Sequence, residues 1–177
     1  WLKSHYPHEF YAASMCYELH QSEKLAVFVD DMRRAGVALV APCINRSQAE
    51  FSVERTDEGH AVRYALGGIR NVGEKAMESL VAEREAAGWF TSLDNLFERI
   101  PPQAMNSRQL VALAGAGAFD SLEANRAAIV ASADLLQAHA DSTARSRESG
   151  QSGLFESDSS GDHALRLAKA EPWSRAE

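Results

Sequence analysis

The chain has 177 residues, 45% of them hydrophobic, with 18 Lys and Arg against 25 Asp and Glu for a formal charge of −7. That length holds one domain of ordinary size or two small ones. No stretch reaches the apolar length of a membrane span and no signal-peptide pattern opens the chain, while the acidic balance excludes a protein whose whole surface attracts nucleic acid. Any contact with nucleic acid is therefore expected to be local, and no membrane partner is expected. Cys16 and Cys43 have neither metal-ligand spacing nor a histidine cluster, and read as buried or half-buried thiols of a reducing cytoplasm. The opening Trp1-Leu2-Lys3-Ser4-His5-Tyr6-Pro7 resembles a helix-turn within a protein, so the chain is expected to be a piece of something longer.

Apolar residues on a helical spacing (Phe10, Ala13, Ser14, Tyr17) predict a helix from Glu9 to Leu19. Ser22 is the expected cap of a second helix, striped by Leu25, Phe28, Val29 and Met32 and ended by Gly36. A short apolar run, Val37 to Ala41, stops at Pro42. Two alternating segments, Phe51 to Glu54 and Ala61 to Leu66, flank Asp57-Glu58-Gly59 as a β-hairpin. A helix is expected from about Glu74 to Ala87, before Gly88. Ser92 caps a short helix with Leu93, Leu96 and Phe97, broken by Pro101-Pro102. Asn106 caps another, with Leu110, Val111 and Leu113 as its apolar face. Gly115-Ala116-Gly117-Ala118-Phe119 forms a second small-residue turn, a candidate pseudo-repeat of the first, and an alanine-rich helix follows from about Asn125 to Ala140.

Composition changes at Asp141. From there to Gly161 the chain is Ser, Gly, Glu, Asp and Arg with almost nothing to bury, as in a linker. Within it stand Gln151 and the apolar pair Leu154-Phe155. Such a pair either docks into a pocket on a partner or folds back onto its own domain. Ala164, Leu165, Leu167 and Ala168, before Pro172-Trp173, suggest that structure resumes.

Ile69-Arg70-Asn71-Val72-Gly73-Glu74-Lys75-Ala76 has the composition of the turn in a helix-hairpin-helix, which grips nucleic-acid backbone without reading bases. Gly73 is expected to turn the chain with positive φ and to leave no side chain between backbone and ligand. The helix starting after it would present unpaired amides and the positive end of its dipole, a setting suited to a DNA phosphate, with Lys75 as a mobile cation. Asn71 stands where the motif usually has its first glycine, and Asn tolerates the left-handed region. On these residues alone, an anion-gripping hairpin and an ordinary loop-to-helix junction fit equally well.

Several segments resemble bacterial replicative DNA polymerase III alpha subunits. Leu2-Lys3-Ser4-His5-Tyr6-Pro7-His8-Glu9-Phe10 is similar to the family's Leu-Lys-x-His-Tyr-Pro-x-Glu-Phe. Arg33-Arg34-Ala35-Gly36-Val37 and Pro42-Cys43-Ile44-Asn45 resemble its Arg-x-Gly-Ile and Pro-Asp-Ile/Val-Asn, with Cys43 in place of the usual Asp. Leu66-Gly67-Gly68-Ile69-Arg70-Asn71-Val72-Gly73-Glu74 resembles its hairpin, and Gly115 to Leu122 contains its Gly-Ala-Phe-Asp-x-Leu signature, with Asn125-Arg126-Ala127-Ala128 beyond. Gln151-Ser152-Gly153-Leu154-Phe155 is similar to the Gln-x-x-Leu-Phe peptide with which family members bind the sliding clamp. The matches stand in order along nearly the whole chain.

The resemblance implies a mainly α fold with a small β-hairpin. Residues 1–50 would be the helical end of the fingers, and 51–140 a tandem helix-hairpin-helix domain for duplex DNA. Residues 141–163 would be a disordered linker carrying the clamp peptide, and 164–177 the truncated start of a further domain. It implies primer-template DNA, the sliding clamp and other holoenzyme subunits as partners, in the cytoplasm. Gly68, Arg70, Asn71, Val72, Gly73 and Lys75 would bind DNA, and Gln151, Leu154 and Phe155 the clamp. The parent would be a DNA-directed DNA polymerase using Mg²⁺. Nucleotidyl transfer needs carboxylates holding two metal ions, and no Asp-x-Asp pair is present. Asp30-Asp31 reads as a solvated charge pair, so neither catalytic residues nor a metal or cofactor are expected in this piece. Two alternatives stand beside this reading. One is a repair glycosylase or nuclease, for which Asp94 lies at a suitable distance past the hairpin but reads as a first-turn helix residue. The other is a non-enzymatic DNA or clamp adaptor.

Overall fold

Pro7 occupies the first turn of a helix, where its missing N–H costs nothing and its fixed φ suits the turn. The computed structural model describes residues 1–101, 105–148 and 167–173. A single turn α1 (Leu2–His5) leads to α2 (Pro7–Tyr17) and then α3 (Ser22–Ala35). The α2 helix buries Tyr11, Ala12 and Met15, whereas Tyr17, expected on its inner face, is 90% exposed. Apolar residues wrap most of this helix, so its spacing alone does not select a face; packing against α3 and the sheet does. Ser22 is the first residue of α3 and not its cap; Gln21 holds that place without a side-chain bond. Leu25 and Met32 are buried, and Gly36 ends the helix in the left-handed region at φ +70°.

Strands β1 (Leu39–Val40), β2 (Ser52–Thr56) and β3 (Gly59–Arg63) form a three-stranded sheet in the order β1-β3-β2. The expected hairpin is β2-β3, antiparallel, with Thr56 opposite Gly59 across the Asp57-Glu58 turn. The run from Val37 to Ala41 contributes β1, parallel to β3 with Leu39 opposite Val62. A two-residue strand is too short to show alternation, and its pairing is a tertiary fact.

Two cores meet beside the sheet, with Tyr64, just after β3, packed against both. Tyr11, Met15, Leu25 and Met32 pack with Phe51, Val62 and Ala65 in the first. The expected boundary at residue 50 therefore does not coincide with a break in packing: the hairpin strands lie against α2. The second core lies among α4 (Glu74–Ala87), α5 (Leu93–Arg99), α6 (Ser107–Gly115), α7 (Arg126–Ala131) and α8 (Ala133–Glu148), and takes in Ile44 and Ala49 from before the boundary. Buried Arg84 of α4 ties the two stretches together by donating to the carbonyls of Ile44 at 3.0 Å and Ser47 at 2.6 Å. Ser92 caps α5 by accepting from the Asn95 amide, and Asn106 forms a full capping box with Gln109 at α6.

The expected alanine-rich helix is two helices. Asn125 caps α7, which stops at buried Ser132, whose hydroxyl accepts from the Ala168 amide at 2.7 Å. The helix α8 then continues through the polar stretch to Glu148, so residues 141–148 are helical where a linker was expected to begin. Gln151, Leu154 and Phe155 lie outside the described residues. Leu167 packs on the second core and the Ala170 carbonyl accepts from Asn125 at 2.9 Å. Residues 167–170, within the stretch expected to open a further domain, thus contact the two ends of α7 and the second core. No described helix is long and apolar enough to cross a membrane.

Candidate nucleic-acid interface

The chain leaves β3 through a tight double turn and enters α4; the turn is reached from a strand, not from a helix. Ile69 donates to the Leu66 carbonyl at 3.3 Å and Val72 to that of Ile69 at 3.0 Å. Both side chains are pegged into the second core. The residues between and after the pegs, Arg70, Asn71, Gly73 and Lys75, are exposed.

The left-handed residue of this turn is Asn71, at φ +67°, and it is the single non-glycine with positive φ among the described residues. Asn does there what a glycine usually does. Gly73 is extended, at φ −81° and ψ 127°, which corrects the expectation that it makes the turn. Nor does packing require a glycine there, because a Cβ would meet only the Gln109 Nε2 at 3.5 Å. Its smooth face is left toward solvent. The helix α4 begins without a side-chain cap, so its first amides keep their donors for an outside acceptor, at the positive end of the dipole.

Two expected contacts belong to the interior instead. Gly68 is buried, and a Cβ there would stand 3.3 Å from the Phe51 ring and 3.4 Å from Leu19, so its smallness serves the junction of the cores. The side chain of Val72 is buried at 8% exposure, and its amide is already used within the turn.

Among the described residues the cations of the turn lack carboxylate partners, as do exposed Arg34 and Arg55, whereas several others are paired. Arg33, Arg63, Arg99 and Arg126 each pair with a carboxylate, as do Lys3 and Lys24. Arg70 and Lys75 have no carboxylate partner among the described residues. Glu74, at the helix start, is drawn to His20 at 3.1 Å. One cation escaped the sequence reading. Arg108, in the first turn of α6, donates to Asn71 Oδ1 at 3.2 Å. The Asn106 cap foretold a helix start there, but nothing local connects it to the turn.

The second small-residue turn lies between α6 and α7 and is satisfied internally. Gly117 has φ +81°, and a Cβ there would collide with the Arg126 guanidinium. Arg126 in turn holds Asp120, with Nε to Oδ1 at 2.8 Å. The start of α7 is capped by Asn125. This turn offers no open anion cradle.

The acidic candidates are engaged structurally. Asp31 accepts from Lys3 and from the Tyr11 hydroxyl, and these two bonds, Lys3 first, hold its carboxyl below the ordinary range. Asp30 pairs with Arg33 at 3.0 Å. Asp94 lies in the first turn of α5. Among the described residues no three of His, Cys, Asp or Glu gather as a metal site. Cys16 donates to the Phe51 carbonyl at 3.3 Å, and burial pushes its thiol pKa up.

A family model described as the helix-hairpin-helix motif matches residues 36–129. Over all 177 residues the chain is 50% identical to a DNA polymerase III subunit alpha of Caulobacter vibrioides, and it spans 15% of that protein. It is 39% identical over 154 residues to the same subunit of Thermus aquaticus, covering 87% of this chain and 12% of that one. For Escherichia coli K12 the identity is 38% over 156 residues, covering 88% and 13% respectively.

Proposed function

This chain belongs to the helix-hairpin-helix family, and on that premise we propose that it is the duplex-gripping segment of a bacterial replicative DNA polymerase alpha subunit. The observation that carries this reading is the exposed turn from Arg70 to Lys75, with its open helix start and two cations that have no carboxylate partner among the described residues. Such a surface suits the regular phosphates of a duplex and reads no base edges. Similarity over the whole chain to polymerase alpha subunits supplies the wider setting. In it the parent enzyme, acting in the cytoplasm with other holoenzyme subunits, extends a primer with Mg²⁺ held by carboxylates outside this chain. This piece contributes grip, not chemistry. Gln151, Leu154 and Phe155 tether the enzyme to the sliding clamp, Leu154 and Phe155 filling an apolar pocket. Tethering raises the local concentration of enzyme at the primer end.

The test is fluorescence anisotropy of labelled primer-template duplexes of different sequence, titrated with the full chain over a range of salt. Affinity should be independent of sequence and should fall as salt rises. Arg70→Ala and Lys75→Ala should each weaken binding and reduce the salt slope by about one. Equal binding by these variants, or strong dependence on sequence, overturns the reading.

A further inference from the structure

Asn71 and Arg108 are 37 residues apart in the chain, yet the Arg108 Nη2 donates to Asn71 Oδ1 at 3.2 Å. Arg108 is exposed and has no carboxylate partner among the described residues. Beside it, Gln109 is held by its capping box, with Oε1 accepting from the Asn106 amide at 2.9 Å. Nε2 has no acceptor among the described residues, and it lies 3.5 Å from where a Cβ of Gly73 would stand. The first turn of α6 thus brings a guanidinium and an amide donor against the turn from which α4 begins.

We propose that Arg108 and Gln109 form a second wall of the phosphate site, so that duplex backbone is gripped between the starts of α4 and α6, with Asn71 as the residue that positions Arg108. This rests on the duplex-binding reading above. At φ +67° a glycine serves the backbone of position 71 equally well. What Asn71 adds is an acceptor. An arginine parked on a neutral amide keeps its full charge for an incoming anion, unlike Arg63, Arg99 and Arg126, which face Glu54, Glu83 and Asp120. One of its five N–H donors is used on Asn71, and the remaining ones have no partner among the described residues and can meet a phosphodiester.

The experiment compares the full chain with Arg108→Ala, Arg108→Lys, Asn71→Gly, Lys75→Ala and the Asn71→Gly/Arg108→Ala double variant, on a labelled duplex over a range of salt. Arg108→Ala should weaken binding roughly ten-fold and flatten the salt slope by about one. Arg108→Lys should keep the slope. Asn71→Gly should weaken binding roughly two- to ten-fold with the slope unchanged, because the charge remains and only its placement is lost. The double variant should bind no worse than Arg108→Ala. Thermal unfolding checks that each variant is folded, and Arg108→Gln replaces Arg108→Ala if that one is not. Unchanged affinity and slope on losing Arg108, while Lys75→Ala loses both, overturns this inference and leaves the hairpin reading standing. No effect from Lys75→Ala, or no binding by the unaltered chain, overturns both.

Discussion

Asn45 and Phe90 exchange two hydrogen bonds across the second core: Asn45 Nδ2 donates to the Phe90 carbonyl at 2.8 Å, and the Phe90 amide donates to Asn45 Oδ1 at 2.8 Å. The side-chain amide acts as a strand edge would, satisfying a backbone that no neighbouring strand reaches. Both residues are buried, at 7% and 2% exposure. Asn45→Ala therefore strands two buried backbone groups and should cost about 2–4 kcal/mol, read as a lower urea midpoint.

The glycines at 73 and 117 should respond oppositely to alanine. Gly73→Ala meets no clash and no forbidden φ, so unfolding free energy should change by less than about 1 kcal/mol. Its methyl group stands on the proposed phosphate face, and duplex affinity should fall. Gly117→Ala combines φ +81° with a Cβ driven into Arg126, and should destabilise by about 1–2 kcal/mol or more. Chemical denaturation beside anisotropy separates the two effects.

Glu54 gives the fold a defined acid sensitivity. Its carboxylate accepts from Arg63 Nε at 2.7 Å, and this bond, helped by the charges of Arg63 and Arg46, outweighs burial and lowers its pKa below the ordinary 4.5. Because the folded value lies under the unfolded one, the stabilisation is complete above about pH 4.5 and fades as the pH falls from there through the depressed value. Thermal melts of Glu54→Gln and the unaltered chain should thus differ most near neutrality and converge in acid. A difference that persists undiminished would contradict the assignment.

Clamp binding should depend on the apolar pair after Gln151. The Leu154→Ala/Phe155→Ala double variant should lose binding to immobilised sliding clamp while its affinity for duplex DNA stays unchanged. Retained clamp binding would reject the tethering role.

Much of this architecture was legible because its signals are local. The Asp57-Glu58 turn, the Gly36 stop, the caps at Ser92 and Asn106 and the left-handed Asn71 each follow from conformations that neighbouring atoms impose. The inner face of α2 and the break at Ser132 did not show. The first depends on which elements press on a helix that is apolar nearly all round. The second involves a hydroxyl joined to an amide 36 residues away.

The candidate site divides the same way. By itself the sequence determined that a turn of small and basic residues precedes an uncapped helix, since glycine, asparagine and helix-start chemistry act over a few bonds. Only the tertiary structure decided that Gly68 and Val72 face inward and that Arg108 joins the turn. Burial and proximity between distant residues come from the packing of whole helices, which leaves no periodic trace at either residue.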